Sequence, residues 1–196
     1  MNAPVTRAAE GLARRAFTVA EVRRMVETGV IPEDERLEIL GGEIVPMSPK
    51  GARHEVLKVA LMARWGKACP DGFVVAPETG LHLDEQTYLE PDIFIYRKGV
   101  GLAQVRGPDV LLAVEIADSS LDYDLGRKPL IYAEHGVREL WVIDAEKRQV
   151  HVHVGPGSGG YAWITVRDAS TRLEPTGFPG DVAQALGVAI DDLEAL

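Results

Sequence analysis

Two nearly continuous apolar runs are the feature that most constrains how this chain can fold. Residues 110–116 (VLLAVEI) and 140–143 (LWVI) contain almost no polar side chains, a composition typical of strands that are covered on both faces of a sheet. Residues 125–135 between them are long enough to supply a crossover helix. The three segments together predict a βαβ unit, and therefore an α/β fold that contains parallel strands.

The remaining patterns predict further helices and strands around this unit. They are an N-terminal helix, a β-hairpin, a long amphipathic helix and five strands: residues 18–27; 36–40 with 43–47; 53–69; and 73–76, 81–83, 93–96, 149–154 and 161–166. Thr18 and Glu21 have the spacing of a capping box, and Gly41-Gly42 has the composition of a two-residue hairpin turn. We therefore predict a mixed β-sheet flanked by helices, in a single domain over residues 16–196 that follows a flexible segment, residues 1–15.

Composition excludes several classes of function. The 196 residues include 21 basic and 30 acidic side chains, for a formal net charge of −9, so binding of nucleic acid would need a local basic site or a bound cation. The single cysteine, Cys69, excludes an intrachain disulfide and a thiolate zinc site. No apolar run suggests a membrane span or a signal peptide, and we expect a cytoplasmic protein without membrane contact.

Glu115 is the sharpest anomaly, because it is a carboxylate inside the most apolar strand of the chain. A buried carboxylate needs a cation, a proton or several hydrogen-bond donors, and a structural arginine partner is one way to meet that need. Asp92 follows Pro91 at the start of another apolar strand, where an aspartate is ordinarily a turn former. If the two strands pair, the carboxylates converge, and two convergent carboxylates are typical of a Mg²⁺ site.

Lys128 is the candidate cation beside this site. It stands four residues after Asp124 on the helix that follows Glu115, so both side chains lie on one helix face. A lysine near a phosphoryl group stabilises the charge that develops there, whereas an ordinary surface ion pair would contribute only a few tenths of a kcal/mol.

The order of these residues resembles the PD-(D/E)XK nuclease superfamily, in which Pro91-Asp92, Glu115 and Lys128 would form the active site. The wider sequence is similar to one branch, the Uma family of restriction endonucleases, through four segments: RLEILGGEIVPMSP (residues 36–49), His54, YLEPDIFIY (residues 88–96) and VEIADSSLDYDLGRKPLIYAEHGVRELWVID (residues 114–144). The superfamily lysine normally stands two residues after the glutamate, where this chain has Ala117. In the Uma pattern a helix lysine, here Lys128, takes its place, provided that Pro129 lies in the first turn of that helix.

The resemblance implies a restriction-endonuclease-like core with Mg²⁺ or Mn²⁺ bound by Asp92 and Glu115. It adds Glu38 from the hairpin as a further catalytic candidate, although strand alternation is equally compatible with a solvent-facing Glu38. Glu78, Asp118 and His54 are lesser candidates, for which a turn, a cap and a solvated helix start are the alternatives.

The implied function is a Mg²⁺-dependent endonuclease that hydrolyses phosphodiester bonds of DNA, with a homodimer as the expected assembly. Two alternatives remain open. One is a nuclease-fold protein without catalysis that serves as a binding or assembly module, and the other is a metal-dependent hydrolase of a small phosphoester.

Overall fold

The computed structural model describes residues 5–7, 13–118 and 121–193. It divides into two compact units: the first comprises Met1–Ser48 with Gly80–Glu90, and the second comprises Pro49–Thr79 with Pro91–Leu196. In chain order, the strands and helices are β1 (Val5–Arg7), β2 (Ala13–Arg15), α1 (Val19–Glu27), β3 (Leu37–Leu40), β4 (Glu43–Pro46), α2 (Ala52–Ala68), β5 (Phe73–Pro77), β6 (Leu81–Asp84), β7 (Thr87–Leu89), β8 (Ile93–Arg97), β9 (Val110–Ala117), α3 (Leu121–Asp124), α4 (Arg127–Glu134), β10 (Glu139–Asp144), β11 (Gln149–Gly157), β12 (Gly160–Asp168) and α5 (Gly180–Leu186). Short 3-10 helices occur at Leu102–Gln104, Gly107–Asp109 and Ile190–Asp192.

The first unit contains α1 and a four-stranded sheet of order β4-β3-β7-β6. The predicted capping box closes the start of α1, because Thr18 Oγ1 accepts from the Glu21 backbone N–H at 3.1 Å and Glu21 Oε2 accepts from the Thr18 backbone N–H at 2.9 Å. These bonds satisfy two of the N–H groups that a helix start leaves without partners.

The β3–β4 hairpin turns on two glycines, as predicted. Gly41 has φ +58 and Gly42 has φ +85, which is the left-handed backbone that a two-residue primed turn requires at both central positions. Gly42 also lies so close to the preceding segment that a Cβ placed there would stand 2.5 Å from Ala16 Cβ. The turn therefore depends on glycine for both conformation and space.

The second unit is built on a six-stranded sheet of order β12-β11-β10-β9-β8-β5. β9 and β10 pair in parallel, whereas the other neighbouring strands pair antiparallel. The predicted mixed sheet and its βαβ unit are therefore confirmed. Trp65 of α2 and Trp141 of β10 are buried in its core, where their ring centroids lie 6.2 Å apart.

The crossover between β9 and β10 contains two helices, α3 and α4, where the sequence predicted one. α4 begins at Arg127, with Gly126 as its N-cap, so Pro129 lies in the first turn, where no intrahelical N–H bond is lost. The condition for Lys128 to face the site is met.

Three further sequence expectations can be compared with the structure. Residues 81–83 form a strand as expected, but it belongs to the four-stranded sheet and pairs with the unpredicted strand β7. In the expected flexible segment, Val5–Arg7 pairs with Ala13–Arg15, while residues 1–4 and 8–12 lie outside the described residues. Within the described ranges, no helix is long and apolar enough to cross a membrane.

Candidate active site

The pairing of β8 with β9 brings Asp92 and Glu115 together. Ile93 is the Cα partner of Val114 in an antiparallel register, so the position one residue earlier, Asp92, lies opposite Glu115. The Ile116 backbone N–H donates to Asp92 Oδ2 at 2.7 Å. Asp92 is 5% exposed and Glu115 is 3% exposed. Both carboxylates are therefore shielded from bulk water and depend on protein partners.

Two basic side chains, one just before α2 and one in its first turn, hold the other oxygen of Asp92. Lys50 Nζ lies 2.8 Å from Oδ1, and His54 Nε2 lies at the same distance from it. Burial acts to raise the pKa of Asp92, but the hydrogen bonds and charges of His54 and Lys50 outweigh burial and lower this pKa to about 2. The carboxylate is therefore ionised across the physiological pH range.

Glu78 joins this cluster through the same lysine. Its Oε1 lies 2.6 Å from Lys50 Nζ and 3.0 Å from Lys58 Nζ, and Lys58 also contacts Glu55 at 2.8 Å. Partial burial acts to raise the pKa of Glu78, but Lys50 and Lys58 outweigh it and lower this pKa to about 2. The backbone of Glu78 has φ +42, an unusual conformation for a residue with a side chain, and its N–H donates to the Asp92 carbonyl at 3.0 Å.

The crossover helices supply the partners of Glu115. Tyr132 donates its hydroxyl to Glu115 Oε1 at 2.6 Å, and Lys128 Nζ lies 3.1 Å from the same oxygen and 3.2 Å from Asp124 Oδ1. The ammonium of Lys128 also lies 5.1 Å from the centroid of the Tyr123 ring. Lys128 and Tyr132 are both buried, so the positive charge is held next to Glu115 with little screening by water.

Three of the four predicted catalytic residues, Asp92, Glu115 and Lys128, thus meet in the second unit. Glu38 lies in the first unit, where it accepts from the Glu90 backbone N–H at 3.0 Å. It is 1% exposed, which corrects the alternative of a solvent-facing strand glutamate. Asp118, at the end of β9, lies 3.7 Å from Arg53.

Lys50 and Lys58 are site residues that the sequence interpretation missed. His54 was a lesser candidate with a solvated helix start as its alternative, and it is 4% exposed. A signal for two of these residues was present, because His54 and Lys58 stand four residues apart in α2 and residues at this spacing share one helix face. Lys50 precedes the helix. That face looks ordinary in the sequence until Asp92, which directly precedes β8, is known to contact His54.

The donor chemistry of the cluster fits a divalent cation with oxygen ligands. Asp92 and Glu115 supply two carboxylates, and Mg²⁺ is typically held by one or two carboxylates together with waters and substrate phosphates. Carboxylates outnumber lysines among the side chains joined by the contacts above. There are three lysines and five carboxylates, those of Glu55, Glu78, Asp92, Glu115 and Asp124. Over the residues that the structure describes, no group of three or more His, Cys, Asp or Glu side chains is arranged to hold a metal ion, so the fit depends on two protein ligands.

Comparison with known proteins identifies relatives by family and by fold. The family model of Uma2, described as "Putative restriction endonuclease", matches residues 19–189. No curated protein matches the chain. A solved structure from Anabaena variabilis ATCC 29413, described as a "putative nuclease belonging to DUF820", superposes with a TM-score of 0.68 at 18% identity, covering 91% of this chain and 98% of that one. The type IIG restriction endonuclease BpuSI matches with a TM-score of 0.41 at 11% identity, over 76% of this chain and 17% of that enzyme.

Proposed function

The chain belongs to the Uma2 family, and from this premise we propose that it is a divalent-metal-dependent nuclease that hydrolyses phosphodiester bonds of DNA. The observation that carries the proposal is the meeting of Asp92, Glu115 and Lys128 at one end of the β8–β9 pair. Family and fold support a nuclease as the class of enzyme. The identity of the metal as Mg²⁺ or Mn²⁺ and the choice of DNA as substrate are parts of the proposal.

In this proposal Asp92 and Glu115 bind the metal through their carboxylates. A bound Mg²⁺ or Mn²⁺ would polarise a phosphoryl oxygen and lower the pKa of a water molecule that attacks phosphorus. The remaining work falls to side chains of this chain. His54 holds the Asp92 carboxylate at 2.8 Å and Tyr132 holds the Glu115 carboxylate at 2.6 Å, which fixes both ligand groups before substrate arrives.

Lys128 has the role of stabilising negative charge on the phosphoryl group. Its ammonium is buried beside Glu115 and Asp124, and a charge held in a site with little water stabilises a transition state more strongly than an exposed charge does. Lys128 thus takes the role of the lysine missing from position 117. Glu38 is proposed as an assisting carboxylate on the family resemblance alone.

Cleavage assays on supercoiled plasmid test the proposal directly. We expect nicking or linearisation by the wild type in Mg²⁺ or Mn²⁺ and none in EDTA. Asp92→Asn, Glu115→Gln and Lys128→Met should each lower the rate by about 100-fold or more, because each removes a group that acts on the transition state. Glu38→Gln should lower it less.

Glu139→Gln is the matched control for these variants. Glu139 is a buried carboxylate of the same sheet, but its partners are neutral donors of Trp141 and Thr176, so this change should leave the rate within about threefold of the wild type. A wild type that is inactive on plasmid in every metal would overturn the nuclease proposal in favour of a binding module. Activity on bis(p-nitrophenyl) phosphate without activity on DNA would point instead to a hydrolase of small phosphoesters.

We also propose that the active protein is a homodimer. Cutting both strands of a duplex with one kind of site is most simply achieved by two copies related by a twofold axis. Light scattering at several protein concentrations, with and without DNA and metal, should give twice the mass of the chain. A constant monomer mass with full double-strand cleavage would contradict the homodimer.

A further inference from the structure

Lys50 contacts two acidic groups at once, and only one of them belongs to the proposed metal site. Its ammonium lies 2.8 Å from Asp92 Oδ1 and 2.6 Å from Glu78 Oε1. The Lys50 side chain is 11% exposed and the Asp92 side chain is 6% exposed, whereas Glu78 is 35% exposed. The lysine therefore bridges a buried carboxylate and a more accessible one.

The contacts of Asp92 leave little room for a further cation. Its Oδ1 receives both Lys50 and His54, and its Oδ2 receives the Ile116 N–H. A carboxylate has about four acceptor positions, so three are already used. A divalent cation at either oxygen would also stand close to the Lys50 ammonium, and like charges at that separation repel strongly where water is scarce.

Glu78 is an alternative ion-pair partner for Lys50. Its carboxylate is already in contact with the ammonium, and its backbone is tied to Asp92 by the 3.0 Å hydrogen bond to the Asp92 carbonyl. Lys58 contacts Glu78 as well, but it keeps Glu55 as a partner of its own. Lys50 could therefore leave Asp92 without losing its counter-ion and without a large displacement.

We propose that Lys50 is an exchangeable counter-ion, which neutralises Asp92 in the metal-free protein and passes to Glu78 when a divalent cation binds at Asp92. This inference rests on the proposed function, because it takes Asp92 as a metal ligand. Lys50 is then a positioning residue whose alternative partner sets how easily the metal enters, and Glu78 contributes to metal binding without touching the metal.

The exchange has a consequence that a purely structural ion pair would not have. Removal of Lys50 takes away the group that competes with the metal for Asp92, so metal affinity should rise. Removal of the charge of Glu78 takes away the alternative partner, so Lys50 should stay on Asp92 and metal affinity should fall. The two variants break the same ion pair but should change metal affinity in opposite directions.

Isothermal titration calorimetry of the full chain with Mn²⁺ measures the metal affinity of the wild type and of each variant without any need for catalysis. We expect Lys50→Met to bind Mn²⁺ about tenfold more tightly than the wild type and Glu78→Gln about tenfold more weakly, within the usual range of coupling between neighbouring sites. The melting temperature of metal-free Lys50→Met should fall, and saturating Mn²⁺ should restore more of it than in the wild type. Glu78→Gln keeps the shape of a partly exposed side chain, so it tests the inference even if Lys50→Met fails to fold.

Two lysine variants serve as controls. Lys58→Met removes the same charge from Glu78 but leaves the contact between Lys50 and Asp92, and it should change Mn²⁺ affinity by about threefold or less. Lys67→Met removes an exposed lysine from the last turn of α2 and should leave the affinity unchanged. If Lys58→Met changed Mn²⁺ affinity as much as Lys50→Met, the loss of any nearby positive charge would explain both results, and the exchange would be overturned.

The outcomes separate this inference from the function on which it rests. Opposite shifts for Lys50→Met and Glu78→Gln, together with a change of about threefold or less for Lys58→Met, support the exchange. Wild-type protein that binds Mn²⁺ while the two variants shift affinity in the same direction, or not at all, overturns the exchange and leaves the nuclease proposal standing. Wild-type protein that binds no Mn²⁺, with the same result for Asp92→Asn, overturns both.

Discussion

Buried carboxylates in the second unit differ in what compensates their charge. Glu139 is closed off by three neutral donors, namely the Trp141 indole N–H and the backbone N–H and hydroxyl of Thr176, at 2.6 to 2.7 Å. Asp92 and Glu115 each accept from a neutral donor as well, but they also contact lysine ammonium groups. Neutral donors hold a carboxylate in place, whereas a lysine on a flexible stem can change partners. We therefore assign chemistry to Asp92 and Glu115 and not to Glu139.

Tyr132 should contribute more to stability than an ordinary buried tyrosine, because its hydroxyl donates to the charged Glu115. Tyr132→Phe should lower the free energy of unfolding by about 2 to 3 kcal/mol, since hydrogen bonds to charged groups are the stronger ones. Tyr161 is the matched control, because its hydroxyl donates at 2.9 Å to the neutral Val137 carbonyl. Tyr161→Phe should cost about 1 kcal/mol in the same urea titration. Equal costs would contradict a charged acceptor.

His153 should make stability depend on pH. Neither ring nitrogen has a hydrogen-bond partner within the described part of the chain, and burial, with a smaller contribution from the charge of His151, lowers the pKa of His153 from 6.5 to about 4. Between these values the unfolded chain binds a proton that the folded chain does not. The contribution of neutral His153 to the free energy of unfolding is therefore fully present above about pH 6.5. The free energy of unfolding should fall by about 1.4 kcal/mol per pH unit as the pH drops toward 4.

His153→Leu isolates this contribution. The variant should flatten the decline in urea-unfolding free energy between pH 6.5 and pH 4, because a leucine binds no proton and leaves no buried nitrogen without a partner. His151→Leu, at a half-buried position on the same strand, should flatten it less. An unchanged slope in His153→Leu would show that other groups govern acid sensitivity.

At the scale of elements, the β3–β4 turn makes a sharp stability prediction. Gly42→Ala should lower the free energy of unfolding by about 2 to 4 kcal/mol, because it adds a left-handed backbone penalty to a clash with Ala16. Gly41 has similar φ but no atom within 4 Å of an added Cβ, so Gly41→Ala should cost about 1 kcal/mol. Thermal or urea unfolding of the two variants gives the comparison. Equal losses would mean that the close approach to Ala16 yields without strain.

The elements themselves could largely be predicted from the sequence, because their signals are local. The helical stripe of α2, the capping box at Thr18 and the apolar runs of β9 and β10 lie within single windows of the chain. Which strands share a sheet is not a local property, so the pattern of residues 81–83 predicted a strand but not its pairing with β7. The three-residue strand Thr87–Leu89 is too short for any alternation to be recognised.

The candidate site divides in the same way. Asp92, Glu115 and Lys128 could be found because each is anomalous in its own segment or matches a motif. The contacts of Lys50 and Glu78 could not, because they depend on where the segment before α2 and the bend at Glu78 lie relative to Asp92. Glu115 could be predicted to need a partner, but Tyr132 as that partner could not, since a tyrosine on an amphipathic helix looks like ordinary core.

At the scale of the whole molecule, the net charge of −9 works against binding of DNA in the absence of metal. We expect fluorescence anisotropy with a labelled duplex to detect no tight binding in EDTA and measurable binding in Mn²⁺ or Ca²⁺. That binding should weaken as salt rises from 50 to 200 mM, because contacts with phosphate release counter-ions. Tight binding in EDTA that weakens with salt would show that a basic surface, and not the metal site, holds the DNA.

The three tryptophans should differ in fluorescence because they differ in burial. Trp65 and Trp141 are buried in contact range of each other, so their emission should be blue-shifted and resistant to a soluble quencher until the second unit unfolds. Trp163 on the edge strand β12 is 65% exposed, so its emission should be red-shifted and readily quenched by iodide. A Trp163→Phe variant would thus give a pure reporter of core unfolding. In the wild type, any loss of iodide quenching on addition of DNA, metal or more protein would reveal that something has covered the edge of the sheet.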